Sequence, residues 1–234
     1  MRIYAMSDIH GCLSEFETAL SRIDLSGDAM LILLGDYIHG PDDYGVLNKI
    51  MELQQQYGSK IVVLRGNHEQ MAIDGRWPMG EDRFEDKGYT DGALGERSAF
   101  KKIPEQDVPY IRWMKKLPLF YNTEKQIFCH AGIDEEAGDL WNWGTADFVF
   151  MEQYPPQLGH FYMDIIAGHV GTSTISGNPE YHDVYYDGES HYYIDGSTRV
   201  SGVIPILMVD TESNRYYRVT ESGLWTILPY KEEN

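Results

Sequence analysis

One stretch, residues 61–69 (IVVLRGNHE), limits the possible folds more than any other part of the chain. Its apolar, β-branched start is typical of a strand that is buried on both faces, and this run ends at Gly66. Asn67, His68 and Glu69 follow at once, and side chains of these types bind metals or transfer protons. Open α/β sheets carry their chemistry at the carboxyl ends of their strands. We therefore expect a buried strand that presents Asn67 and His68 at such an edge.

The same arrangement, an apolar run that ends in Asp or His, occurs in four other segments of the chain. Residues 3–11 and 30–36 precede this stretch, and residues 127–132 and 165–169 follow it. Each segment brings a polar side chain to the end of a predicted strand. Five such strand ends in one chain, more than any single motif, predict an active site.

The order of the predicted elements indicates an α/β fold. Apolar strands alternate with helical periodicity over residues 1–66, and this β-α-β-α-β order favours parallel strands. The C-terminal third instead shows antiparallel strand patterns at residues 192–195, 203–210 and 215–220. We predict a layered α/β domain whose second sheet is largely antiparallel.

Residues 74–107 interrupt this alternation, because they are rich in glycine and charged residues and only weakly periodic. We interpret them as an inserted cap or lid beside the site. The length of the chain suits one domain with a substantial core, so residues 1–234 are expected to form a single domain.

The composition argues against two classes of partner. A formal net charge of −18 would repel nucleic acid and anionic lipid, so we expect neither a nucleic acid nor a membrane partner. No apolar run approaches the roughly 20 residues that a membrane helix needs. The N-terminus shows no export signal, and Cys12 and Cys129 are interpreted as free thiols, which favours a cytoplasmic location.

Six side chains at the strand ends are candidate ligands for two divalent cations: Asp8, His10, Asp36, Asn67, His130 and His169. Asp8 and His10 are two positions apart and can hold one ion, Asp36 is the natural bridging carboxylate, and the other three can complete the second ion. In two-metal hydrolases such ions lie about 3.5–4 Å apart and generate hydroxide near neutral pH. Mixed nitrogen and oxygen ligands favour Mn, with Fe or Zn as alternatives.

These motifs resemble those of the calcineurin-like metallophosphoesterases. The segments Asp8-Ile-His-Gly, Gly35-Asp36, Gly66-Asn-His-Glu, His130-Ala-Gly and Gly168-His169 occur in that family's order and spacing, and the likeness runs from residue 1 to about 210. It is closest to bacterial members of the phosphoprotein phosphatase (PPP-type, serine/threonine phosphatase-like) branch. The resemblance implies two stacked mixed β-sheets flanked by helices, and hydrolysis of phosphate esters by a metal-bridging hydroxide. It also implies that His68 lies near the leaving group, as a general acid or transition-state stabiliser.

The second motif departs from the family pattern. Where members have Gly-Asp-x-x-Asp-Arg-Gly, this chain has Gly35-Asp36-Tyr37-Ile38-His39-Gly40-Pro41. His39 therefore replaces the aspartate that pairs with the catalytic histidine, and Gly40 replaces a phosphate-binding arginine. In a looser alignment, Trp143 stands where related bacterial enzymes carry a further arginine.

Two consequences are expected from these replacements. Without a guanidinium, a dianionic monoester loses a recognition contact. A protonated His39 would lower the pKa of His68, which favours leaving groups that need little protonation, such as aryl oxides or phosphoanhydrides. Asp42 or Asp43 could serve as a substitute partner of His68. Five arginines are candidates for the lost phosphate contact, with Arg65 and Arg199 placed first: Arg65, Arg76, Arg83, Arg97 and Arg199.

Three functions are consistent with these residues. The first is a dinuclear-metal phosphoesterase that resembles serine/threonine protein phosphatases, and the second is a dinucleoside polyphosphate or other small-molecule phosphohydrolase. The third is a non-catalytic, metal-binding partner module, against which the intact His68 argues. The expected partner of either enzyme is a phosphorylated protein or small molecule. The remaining histidines are interpreted as ordinary surface or strand residues: His160, His182 and His191.

Overall fold

A computed structural model describes residues 1–76 and 104–231 of the chain. Most of the predicted cap at 74–107 lies outside these residues, as do Arg83 and Arg97. Within the described part, no helix combines the length and apolar character that crossing a membrane requires.

The strands form two mixed sheets. Eleven strands are present in the described residues: β1 (Arg2–Met6), β2 (Ala29–Leu33), β3 (Ile61–Val63), β4 (Phe120–Asn122), β5 (Gln126–Cys129), β6 (Asp164–Gly171), β7 (Tyr185–Tyr186), β8 (His191–Asp195), β9 (Leu207–Asp210), β10 (Arg215–Thr220) and β11 (Gly223–Thr226). The first sheet has the order β11-β10-β9-β1-β2-β3, and the second has the order β4-β5-β6-β8-β7. Strands β1, β2 and β3 are parallel, as the β-α-β-α-β order predicts.

The helices of the described residues lie in the connections: α1 (Leu13–Leu20), α2 (Asp43–Tyr57), α3 (Asn67–Ile73), α4 (Val108–Met114), α5 (Trp141–Gly144), α6 (Asp147–Glu152), α7 (Thr172–Ser176) and α8 (Thr198–Ser201), with short 3-10 helices at Gly58–Lys60 and Glu135–Leu140. Helix α2 begins after Asp42, whose carboxylate accepts a hydrogen bond from the amide of Gly45. It ends at Gly58, where a φ of 58° suits a residue without a Cβ.

Of the predicted C-terminal strands only β8 joins the second sheet, and that sheet has as many parallel as antiparallel pairings, so the prediction of a largely antiparallel second sheet is wrong. Strand β9 pairs antiparallel with β1, and β10 pairs with β9, so both extend the first sheet. In the second sheet, β5 and β8 each pair parallel with β6, whereas β4 and β7 are antiparallel edge strands. The alternation of apolar residues identifies a strand, but the strand's partner depends on contacts between distant segments. The α/β class with two mixed sheets is confirmed.

The two sheets pack face to face around one apolar layer. Ile3 of β1 packs in this layer with Phe128 and Ile166 of the second sheet. Met6, which points to the opposite face of β1, packs instead with Phe16 of α1 on the helix-covered side. Burial of both faces explains why the strands of the first sheet near β1 are continuous apolar runs.

His191 is more than the ordinary strand residue expected from the sequence. Its imidazole is buried on β8, with Nδ1 3.1 Å from Asp187 Oδ2 and Nε2 2.9 Å from Glu135 Oε1. Burial alone lowers the pKa of His191, but the hydrogen bonds to the two carboxylates raise it to about 9. A buried imidazolium therefore joins β8 to the loop that precedes it and to the 3-10 helix that begins at Glu135.

Replacing His191 with alanine is expected to lower the free energy of unfolding by about 3–5 kcal/mol at pH 6, because two carboxylates lose their counter-charge. The pKa of His191 is raised on folding, so its contribution is complete below about pH 6.5 and is lost as the pH rises through about 9. Urea unfolding at pH 6 and at pH 9.5 measures this difference. The exposed His160, 3.9 Å from Glu189, provides the control, since His160→Ala should change little. An equal loss for His191→Ala at both pH values would contradict the assignment.

Candidate metal centre

The loops that follow β1 and β2 are joined by backbone hydrogen bonds. The amide of Asp8 donates to the carbonyl of Gly35, and the amide of His10 donates to the carbonyl of Asp36, at 3.1 and 2.9 Å. The second sheet reaches the same place, because the amide of His169 donates to Asp8 Oδ2 at 3.0 Å. Strand ends of both sheets therefore meet at one edge.

Five polar residues at this edge have the left-handed backbone conformation: Asp8, His10, Asp36, His39 and His169, with φ between 46° and 72°. A residue other than glycine in this region costs of order 1–3 kcal/mol, and such residues cluster where function requires them. The sharp turns direct successive side chains toward a common point. No sequence pattern predicts this conformation for Asp and His.

Asp36 lies at the centre of the cluster and is only 2% exposed. Its Oδ2 is 3.3 Å from His130 Nε2, and it is 3.8 Å from the Nε2 atoms of both His10 and His68. Two groups of candidate ligand atoms, each within 4.8 Å of one another, share this carboxylate: His10, Asp36 and His68 in one, and Asp36, His130 and His169 in the other. The structure thus puts Asp36 where a residue shared by two cations would be.

The electrostatics of the cluster suit cations. Burial lowers the pKa of both His10 and His169 to about 4, so these rings are neutral and keep a lone pair at neutral pH. Burial opposes ionisation of Asp36, yet the neighbouring histidines hold its pKa well below the usual range. Burial lowers the pKa of His130, but Asp36 raises it to about 9, so a cation here would take the place of a proton.

Asp8 and Asn67 also fit a cation. Burial and the nearby Asp195 raise the pKa of Asp8 well above its usual value, and positive charge beside Asp8 would remove this penalty. The Asn67 amide oxygen lies 3.0 Å from Asp36 Oδ2 and 3.0 Å from His130 Nε2. Two oxygens at this distance repel each other unless a cation lies between the Asn67 amide and the Asp36 carboxylate. The alternative is that the Asn67 amide is turned so that its nitrogen donates a hydrogen bond to Asp36.

His68 and His39 form a pair. Their Nδ1 atoms are 2.6 Å apart, so one ring donates a hydrogen bond to the other. Burial, and then the neighbouring His68, lowers the pKa of His39 to about 3, so the ring of His39 is neutral at neutral pH. The carboxylates of Asp42 and Asp43 accept hydrogen bonds from the amides of Gly45 and Gly40, whereas Nδ1 of His68 is bonded to His39.

The loss of the arginine at position 40 has a steric cause. A Cβ built on Gly40 would overlap the carbonyl of His10 and lie 3.1 Å from the Cα of Gly11. The loop that carries His39 therefore packs directly on the loop that carries His10. No larger side chain, arginine included, fits at this position without moving one of them.

The candidate arginines differ in their surroundings. Arg65 donates to Gln70 Oε1 at 3.1 Å and to the carbonyl of Leu117 at 3.4 Å, so its guanidinium has structural partners. Arg76 pairs with Asp74 at 3.4 Å. Arg199 is exposed, and its charge is close enough to lower the pKa of His10. The charge of Arg199 therefore acts on a candidate ligand.

Two buried carboxylates, Glu69 and Asp195, belong to the site in addition to the candidate ligands. Glu69 accepts hydrogen bonds from the amides of Asp36, Tyr37 and Gly66 at 2.8–3.0 Å, so it fixes the turn that carries Asp36. Asp195 ends β8 next to β6, and burial raises its pKa to about 6. The signal for Asp195 was present, since the run at 192–195 is again an apolar strand ending in Asp.

Comparison with known proteins identifies relatives of this chain. A protein from Wigglesworthia glossinidia brevipalpis named "Bis(5'-nucleosyl)-tetraphosphatase, symmetrical" is 31% identical over 153 residues, which are 64% of this chain and 49% of that protein. The protein of the same name from Nitrosococcus oceani is 26% identical over 182 residues, 75% of this chain and 58% of that protein. The chain thus spans about half the length of these curated relatives.

The fold is also found in solved structures. The cold-active protein-tyrosine phosphatase of a psychrophilic Shewanella superposes with a TM-score of 0.63 at 17% identity, over 97% of this chain and 80% of that one. The model of the family described as calcineurin-like phosphoesterase matches residues 1–203. That match includes every candidate ligand, and the chain therefore belongs to the calcineurin-like phosphoesterase family.

Proposed function

We propose that the chain is a metal-dependent phosphohydrolase that cleaves dinucleoside polyphosphates with the help of two divalent cations. The observation that carries the proposal is the buried carboxylate of Asp36, which two groups of candidate ligands share. The six proposed ligands are Asp8, His10, Asp36, Asn67, His130 and His169. Their mixed nitrogen and oxygen atoms favour Mn, with Fe or Zn as alternatives. The bound cations would supply the nucleophile near neutral pH and neutralise charge on the phosphate.

His68 is the proposed proton donor to the leaving group. In this role, the hydrogen bond between the Nδ1 atoms of His68 and His39 fixes the orientation of the His68 ring and places one proton between these two atoms. The Nε2 atom of His68 then faces the metal centre near Asp36. His39 carries no negative charge, so it stabilises an imidazolium at His68 less than the family's aspartate would. A leaving group that is already a stable anion suits such a weak donor.

Substrate choice is inferred from the altered phosphate pocket. Gly40 leaves no room for the family arginine, so a phosphoserine-type dianion lacks its bidentate contact. Arg199 is the proposed contact for an outer phosphate, which a polyphosphate chain provides and a simple monoester does not. The relatives named as tetraphosphatases support the same class, whereas structural neighbours at this identity support the fold alone.

A substrate panel tests the proposal. With Mn²⁺, we expect kcat/KM for diadenosine tetraphosphate to exceed that for glycerol phosphate or a phosphoserine peptide by at least about tenfold, because a phosphoanhydride leaves without full protonation. Chromatography identifies the products, and an aryl phosphate and an aryl diester complete the panel. Preference for the phosphoserine peptide would restore the protein phosphatase interpretation. Bound metal without turnover of any substrate would instead indicate the non-catalytic module.

A further inference from the structure

An exposed aromatic cluster lies on α5 and the start of α6. Trp143 is 86% exposed and Phe148 is 63% exposed. Trp141, two positions before Trp143, is buried and packs its ring on Phe120 at a centroid distance of 5.0 Å and on Phe150 at 6.5 Å. The segment is therefore held rigidly by one indole, while the second indole faces solvent.

This cluster is joined to the candidate metal centre. The amide of Ala131, the residue after His130, donates to the carbonyl of Phe150 in α6 at 2.8 Å. The amide of Asp134 donates to Thr145 Oγ1 at 2.9 Å, between α5 and α6. Helix α6 also packs against α3, which begins with Asn67 and His68. The exposed rings thus belong to a segment that is fixed to two ligand-bearing strand ends.

The charge of the protein restricts what these rings can recognise. With a net charge of −18 and no arginine at position 40, the surface offers little attraction to phosphate beyond the centre and Arg199. A neutral indole does not repel a polyphosphate, and its face stacks on any nucleobase.

We propose that Trp143 is the platform on which a nucleobase of the substrate stacks while the phosphate chain reaches the metals. This inference rests on the proposed function, and it identifies Trp143 as the residue that recognises the base of the substrate. Because stacking holds substrate and transition state alike, its loss should raise KM and leave kcat nearly unchanged.

The test compares Trp143→Ala with the wild-type protein, both loaded with Mn²⁺. For diadenosine tetraphosphate we expect KM to rise about tenfold, and for inorganic tetraphosphate, which has no base, we expect no change. Trp143→Phe should keep most of the affinity. Trp225 on β11 is 52% exposed and lies at the far edge of the first sheet, so Trp225→Ala is the matched control and should behave as wild type.

The outcomes separate the two proposals. If diadenosine tetraphosphate is hydrolysed and Trp143→Ala leaves its KM unchanged, the platform is wrong and the proposed function stands. If Trp143→Ala raises KM equally for both tetraphosphates, the residue acts on the fold and not on the base, and the platform is again wrong. If the wild-type protein hydrolyses inorganic tetraphosphate but not the dinucleoside, both proposals fail.

Discussion

Asp36→Asn is expected to reduce metal-dependent hydrolysis by about three orders of magnitude in kcat, since two-metal charge stabilisation is worth several kcal/mol and each 1.36 kcal/mol is a factor of ten. The carboxylate is the one group common to both candidate ligand sets. An amide of the same shape keeps one oxygen but loses the charge that a bridging ligand needs. The same variant should bind fewer than two equivalents of Mn²⁺, which metal analysis measures.

A fold defect must be distinguished from this loss. In the wild-type protein the amide of His68 donates to Asp36 Oδ1 at 3.0 Å, and the oxygen of the introduced side-chain amide can still accept this bond, so the turn should persist. Asp164→Asn is the control, because Asp164 begins β6 at the end of the strand opposite His169. This variant should remain active. An Asp36→Asn protein with more than a tenth of the wild-type rate would show that Asp36 does not bridge two ions.

His68→Gln is expected to lower kcat by about 10²–10⁴ for an alkyl phosphate, the range that a general acid contributes. For substrates whose leaving group is already a stable anion, the loss should be much smaller. Comparison of an alkyl phosphate with diadenosine tetraphosphate measures this dependence. Mn²⁺ content should be unchanged, and its loss would instead make His68 a metal ligand, which its 3.8 Å distance from Asp36 Oδ2 leaves as the competing role.

His39→Asp is the companion variant, because it restores the family's residue beside His68. A carboxylate in place of a neutral imidazole favours the protonated form of His68. We expect the rate of hydrolysis of alkyl phosphates to rise, so that the ratio of the rates for diadenosine tetraphosphate and for an alkyl phosphate becomes smaller. His39→Asn, which is nearly the same size but uncharged, should not reproduce this gain. Equal effects of the two variants would show that shape and not charge at position 39 matters.

The residues at the strand ends show how much of the candidate site can be predicted from local sequence patterns. Asn67 and His130 could be predicted because each follows a buried apolar run closely in the sequence, and parallel strands bring such ends to one edge. His191 was misjudged, because its two carboxylate partners, Asp187 and Glu135, come from different segments of the chain.

The sequence by itself determined the α/β class and the family and supplied the candidate metal ligands, since each strand, helix and motif is recognised from neighbours within a few positions of the chain. Only the tertiary structure decided that β9 joins the first sheet, that His39 bonds to His68, and that Gly40 lies against His10. These contacts join segments that are far apart in the chain, and their geometry depends on left-handed turns that are uncommon for residues other than glycine. The periodicity of apolar residues identifies the buried and exposed faces of one helix or strand. Which distant segment it contacts depends on how all the helices and strands pack together.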